Sequence, residues 1–148
     1  MRRIISVLSV FIALVCTSQF LAAQEPGTDF QSRQMNGFQL EQNYPNPFNP
    51  ETTIPFTLGE ELFMGGRPAV VSVRIFNVLT QLVAQPVALG HPSGEGIEVD
   101  QLEYLLPGEY EAFWDGTDPM GRQVASGIYL MQLTVNGRSA TRKMYVMK

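Results

Sequence analysis

The sequence predicts an all-β chain folded as a two-sheet antiparallel β-sandwich, about seven strands with Greek-key connections. Three observations lead there. Apolar residues alternate with other residues at period two in several short runs, the pattern of strands with one buried face. Turn residues recur at regular intervals between those runs, and no helical period interrupts them after the amino-terminal leader. Finally, Asn136-Gly137 separates two apolar-patterned runs. A type I′ turn needs positive φ at both central residues, which Asn-Gly supplies, so the last two strands are expected to be antiparallel neighbours.

The chain has 148 residues, 45% hydrophobic and 16% charged, a balance that allows one domain with a buried core. Its start differs from the rest. Arg2-Arg3 precede an apolar run from Ile4 to Val15, and Ala22-Ala23 follow, which predicts a signal peptide over 1–23 that enters the inner-membrane Sec translocase. Ser6, Ser9, Thr17, Ser18 and Gln19 dilute the span below an uncleaved anchor, and bulky Val15 stands before Cys16 where a lipid-attachment site takes a small residue. Cys16 is the one cysteine, so the mature chain is expected to hold no disulfide. Without Arg2 and Arg3, 8 basic residues face 14 acidic ones, and no basic cluster exceeds Arg142-Lys143, which argues against a nucleic-acid partner.

Residues 24–37 are polar and aperiodic and read as a linker; the domain is expected over 38–148. It opens on Asn43-Tyr44-Pro45-Asn46-Pro47-Phe48-Asn49-Pro50. Each proline lacks an N–H and pushes the preceding residue toward extended geometry. The asparagine side chains can bond nearby backbone in place of ladder bonds, and Tyr44 and Phe48 are expected to pin the segment to the core.

Ile54, Phe56 and Leu58 then mark a strand, with Pro55 implying an edge or a bulge. Glu60 to Pro68 reads as a loop with an apolar tip at Leu62-Phe63-Met64. Val71, Val73 and Ile75 give the clearest strand, expected to be central. Asn77 to Thr80 turns the chain into Gln81–Leu89, where Leu82, Ala84 and Val87 continue the apolar count. Residues 90–106 begin as a glycine-rich loop and contain a short strand at Ile97–Asp100. Tyr110, Ala112 and Trp114 alternate toward Asp115-Gly116. A long turn over Thr117–Ser126 leads to the strands on either side of Asn136-Gly137.

Several ordered stretches resemble the type A C-terminal sorting domain of the type IX secretion system, a relative of the immunoglobulin-like domain of flagellar hook-capping proteins. They are Leu40 to Pro50, Thr52 to Leu58, Trp114-Asp115-Gly116, Gly121, Ala125 to Tyr129 and Lys143-Met144-Tyr145-Val146-Met147-Lys148. The likeness runs from about Phe38 to Lys148. It departs at Thr80, where family members usually have glycine, so this turn is expected to differ in type. It departs again at residues 90–106, which look like an insertion. Ser126-Gly127-Ile128-Tyr129-Leu130-Met131 resembles a tyrosine-corner strand, with Met131 where antibody domains have cysteine; the Tyr129 hydroxyl is then expected to bond upstream backbone.

The resemblance implies export through the periplasm to the cell surface or medium, with outer-membrane type IX machinery as partner. It also implies that Lys143, Met144, Val146 and Lys148 belong to what that machinery recognises. Family members usually carry the domain behind a larger cargo, whereas here a short linker separates leader from domain. A stand-alone structural, assembly or carbohydrate-binding module is therefore the alternative. A monomer without cofactor is expected.

Catalysis has few residues to work with. His91 is the one histidine and is read as an exposed loop residue; with no mature cysteine, a nucleophile–base pair is not announced and no enzyme activity is expected. Asp115 and Asp118 could offer oxygens to Ca²⁺, but aspartates beside glycine and proline ordinarily close turns. Glu60-Glu61 and Glu109 with Glu111 read as solvated surface. Trp114 and Tyr110 could form a sugar platform, yet their alternation with Ala112 suits a buried face. Leu62-Phe63-Met64 is the candidate apolar contact patch, and the terminal strand reads as a lysine-protected edge open to strand addition.

Overall fold

The computed structural model describes residues 37–148; the expected leader and all but the last residue of the expected linker lie outside them. Among the described residues nine strands form: β1 (Phe38–Leu40), β2 (Thr52–Leu58), β3 (Ala69–Asn77), β4 (Leu82–Ala84), β5 (Val87–Leu89), β6 (Leu102–Tyr104), β7 (Gly108–Trp114), β8 (Gly127–Val135) and β9 (Arg138–Val146). One sheet has the order β1-β2-β7-β5. The other runs β4-β3-β8-β9, with β6 also paired to β3. All strand pairs are antiparallel, and the two sheets make an immunoglobulin-like β-sandwich.

Period-two patterning sets which residues meet between the sheets. Ile54, Phe56 and Leu58 of β2, Val71, Val73 and Ile75 of β3, and Met131, Leu133 and Val135 of β8 are all buried. A one-residue slip in any of these strands would turn its apolar set to water, which fixes the register. The Asn136-Gly137 turn has φ of 49° and 82°, the positive pair that a type I′ hairpin demands, and it joins β8 to β9.

Four local expectations are corrected. β2 is not an edge, since β1 lies beside it. Pro55 is tolerated because its carbonyl accepts from Glu41 N–H at 2.9 Å, so its missing donor faces the point where β1 ends rather than β7. The Gln81–Leu89 run is two strands, and the chain changes sheet at Gln85-Pro86; Leu82 accordingly faces solvent. Ile97–Asp100 forms only a bridge through Glu98 to Val87, and the paired strand of this excursion is β6. Leu62 and Phe63 sit in a 3-10 turn over Glu60–Phe63 and pack on the core, leaving Met64 alone exposed at the tip.

The Asn77–Gln81 turn shows how a side chain can replace glycine. Thr80 adopts φ of 62° despite its branched Cβ, so the turn keeps the backbone form for which glycine is suited. Asn77 holds it: its Oδ1 accepts from Leu79 N–H at 2.9 Å and Gln81 N–H at 3.0 Å, while its carbonyl accepts from Thr80 N–H at 2.9 Å. The expectation of a different turn overlooked this Asx bonding.

Candidate recognition site at the C-terminal strand

The proline-rich segment and the last strand form one structural unit. Phe48 is buried between the sheets with its ring centroid 5.3 Å from that of Trp114. This position lays the backbone of residues 46–48 along the outer edge of β9. Phe48 N–H donates to Tyr145 O at 2.9 Å, and Met147 N–H donates to Phe48 O at 3.0 Å. Tyr145 N–H donates to Asn46 Oδ1 at 3.0 Å, and Gln42 Nε2 donates to Lys143 O at 3.1 Å. The asparagine and glutamine side chains thus complete a ladder that Pro45 and Pro47 cannot make. The sequence led to the expectation of an edge open to strand addition. Residues 143–147 are instead already paired.

The segment is itself tied down. Buried Asn43 donates through Nδ2 to Thr52 Oγ1 at 2.9 Å and to Pro45 O at 3.1 Å, and Tyr44 and Thr53 exchange backbone bonds of 2.9 Å. Peptide bonds before Pro45, Pro47 and Pro50 are cis. Tyr44 does not pin the core as expected. It is exposed, and its hydroxyl donates to Glu111, whose carboxylate raises the phenol pKa. Asn49 and Pro50 are exposed, and the Pro50 carbonyl lies against Gly116. A Cβ at Gly116 would stand 2.2 Å from that oxygen, and φ there is 75°, so both space and backbone demand glycine.

Trp114-Asp115-Gly116 supports the same corner. Trp114 is buried and donates through Nε1 to Thr117 O at 2.9 Å, which removes it as a sugar platform. Asp115 Oδ1 accepts from Thr117 N–H at 2.9 Å and from its hydroxyl at 2.6 Å. Asp118 closes the next turn through Met120 and Arg122, and bonds from the Arg122 guanidinium hold its carboxyl below the usual range. Among the described residues no group of three or more potential ligands is placed to hold a metal ion. Tyr129 packs 6.0 Å from Trp114 and donates its hydroxyl to Ala125 O at 2.9 Å, the upstream bond of a tyrosine corner; burial raises its pKa. Gly127 begins β8 opposite Val146.

The four residues expected to be recognised, three on β9 and Lys148 two residues past its end, divide by burial. Met144 and Val146 are 0% and 5% exposed and face the core. Lys143 and Lys148 are exposed. Alternation also exposes Tyr145, at 44%, and Met147, at 61%. Strand parity alone would have found them, because the buried partners Met144 and Val146 define the opposite face.

His91 is also a correction. It is 8% exposed, not a loop residue in water, and packs edge-on against Tyr104 with ring centroids 4.8 Å apart. Ser93 N–H donates to its Nδ1 at 3.1 Å, so Nε2 carries the proton and donates to Glu103 O at 3.0 Å. Both nitrogens are occupied in holding the excursion, which leaves neither free as a base or ligand.

No family model and no curated protein matches the sequence. Solved structures similar to the chain include PorZ, an essential surface component of the type IX secretion system of Porphyromonas gingivalis. It is 20% identical with a TM-score of 0.44, covering 79% of this chain and 12% of that one. Dimeric latent PorU from the same organism is 22% identical with a TM-score of 0.48, covering 74% and 9%. The alkylpurine DNA glycosylase AlkC of Pseudomonas fluorescens, solved on DNA with an abasic-site analogue, is 15% identical with a TM-score of 0.45, covering 76% and 31%. The chain spans about a tenth of the length of the two Porphyromonas proteins.

Proposed function

We propose that residues 38–148 act as a non-enzymatic sorting module for type IX secretion. In this reading the module carries an exported protein across the outer membrane to the surface or medium after Sec-dependent passage of the inner one. One observation carries the reading: the two stretches that most specifically resemble the sorting family, at opposite ends of the domain, are hydrogen-bonded to each other. A signal built this way exists only once the domain has folded, because its halves are about a hundred residues apart in the chain. With Met144 and Val146 in the core and the strand edge paired, the machinery reads exposed side chains: Lys143, Tyr145 and Met147 on one face, and Lys148 past the end of β9.

The test grafts residues 38–148 behind an unrelated periplasmic reporter in a host with type IX machinery. The graft should reach the surface or medium. Replacing Lys143 and Lys148 with alanine should leave it folded in the periplasm, since exposed charges at a strand edge contribute little to stability, about 0.5 kcal/mol or less. Deleting residues 1–23 from the native chain should stop export earlier, in the cytoplasm. A folded graft that stays periplasmic contradicts the sorting role and favours a stand-alone assembly module.

A further inference from the structure

The outer faces of the two sheets carry complementary chemistry. On the β4-β3-β8-β9 sheet the register sets Leu82, Phe76, Leu130 and Lys143 in one row, with Ile128 opposite Tyr145 beside it. Leu82, Ile128 and Tyr145 are well exposed, and Phe76 and Leu130 are half-buried. Lys143 closes the row, and neither it nor Lys148 has a carboxylate partner among the described residues. Elsewhere on this face Arg74 is neutralised by Asp100 at 2.8 Å, and Glu103 lies at the opposite end, beside Val70. The free charge next to the apolar band is therefore positive, and a band of this kind marks a contact surface.

The other sheet presents the counterpart. A groove of about 540 Å³ is lined by Pro55, Thr57, Leu89, Glu109, Tyr110 and Glu111. Pro55 and Leu89 contribute apolar surface to its lining. Glu109 and Glu111 stand two residues apart on the outer face of β7; Glu111 accepts from the Tyr44 hydroxyl, and neither has an ion-pair partner among the described residues.

We propose that a second copy of this chain occupies the groove, laying its Ile128–Tyr145 band on Pro55 and Leu89 and bringing Lys143 to the carboxylates of Glu109 and Glu111. The occupant follows from charge and apolar complementarity with both halves present on one molecule. Because different faces meet, the contact is heterologous and repeats, so copies add head to tail rather than closing as a dimer. This departs from the monomer expected from the sequence. The band overlaps the face assigned to export, but the association is measured on purified protein and stands or falls separately from that reading.

Sedimentation velocity of the purified protein at up to about 1 mM should show a coefficient that keeps rising with concentration instead of levelling at a dimer. Raising salt from about 50 mM to about 500 mM should weaken association roughly tenfold. K143E/K148E, with two acidic faces, and E109K/E111K, with two basic faces, should each remain monomeric, the first melting like the parent and the second slightly below it through loss of the exposed Tyr44–Glu111 bond. An equimolar mixture of the two should associate again, alternating along the chain. If E109K/E111K melts early, L89K probes the same groove and should also abolish association. A parent that stays monomeric throughout, a closed salt-insensitive dimer, or a mixture that fails to associate overturns the proposal.

Discussion

Two irregular regions hold the sandwich shut, and they were unequally visible in the sequence. The clamp of residues 42–50 on β9 and the excursion of residues 90–106 are both rich in glycine, proline or asparagine, and both are pinned by a buried ring. In the clamp the ring is Phe48, a large apolar group among core residues. In the excursion it is His91, a polar group bonded at both nitrogens; Val99 of the same excursion is also buried, its carbonyl accepting from Val73 N–H and its N–H donating to Pro86 O. Hydrophobic pinning can be read from residue type. Pinning by a satisfied polar ring depends on partners that sequence does not place.

Breaking the clamp should cost most. Phe48→Ala removes a buried aromatic and leaves a cavity beside Trp114, so it should lower stability by about 3–5 kcal/mol in denaturant unfolding. Breaking the excursion should cost less and stay local. His91→Ala leaves Ser93 N–H and Glu103 O without their partner, about 1–3 kcal/mol, and exchange should rise over residues 91–104 while the amides of Tyr145 and Met147 keep their protection.

The excursion should also open on the alkaline side. Burial, with a smaller contribution from Tyr110, pushes the Tyr104 phenol from about 10 up to about 12. The folded state therefore holds this proton more tightly than the unfolded chain does. Its contribution is complete below about pH 10 and is lost as pH rises toward about 12. Thermal melts across that interval should fall in the parent and fall less in Tyr104→Phe. The smallest effect lies outside both regions: Thr80→Gly relieves a branched residue at φ of 62° and should raise stability by about 1 kcal/mol, the Asx bonds of Asn77 being retained.

What the sequence made legible follows the same division. Alternation at Ile54-Phe56-Leu58 and at Val71-Val73-Ile75 announced buried faces, Asn136-Gly137 announced its hairpin, and Tyr129 its corner, because each signal is local. The sheet change at Gln85-Pro86 was hidden, since Ala84 and Val87 are apolar on either side of it and period two carries no sheet label. Pairing of Asn46 and Phe48 with β9 was hidden too. Prolines announce that ladder bonds are missing, but which distant strand accepts the substitutes is a property of the fold. Along residues 143–147, the alternation that buries Met144 and Val146 is present in the sequence and sets Tyr145 and Met147 on the opposite face.

The central claim is that the proline-rich segment and the terminal strand are one unit, and amide hydrogen exchange at Tyr145 and Met147 tests it most directly. Both N–H groups point away from β8, with Asn46 Oδ1 and Phe48 O as their acceptors. Protection of both amides at the level of the buried β3 and β8 strands, lost together in Phe48→Ala under conditions where β3 and β8 remain protected, is the predicted result. Exchange of Tyr145 and Met147 in the parent protein at the rate of open chain would contradict the account.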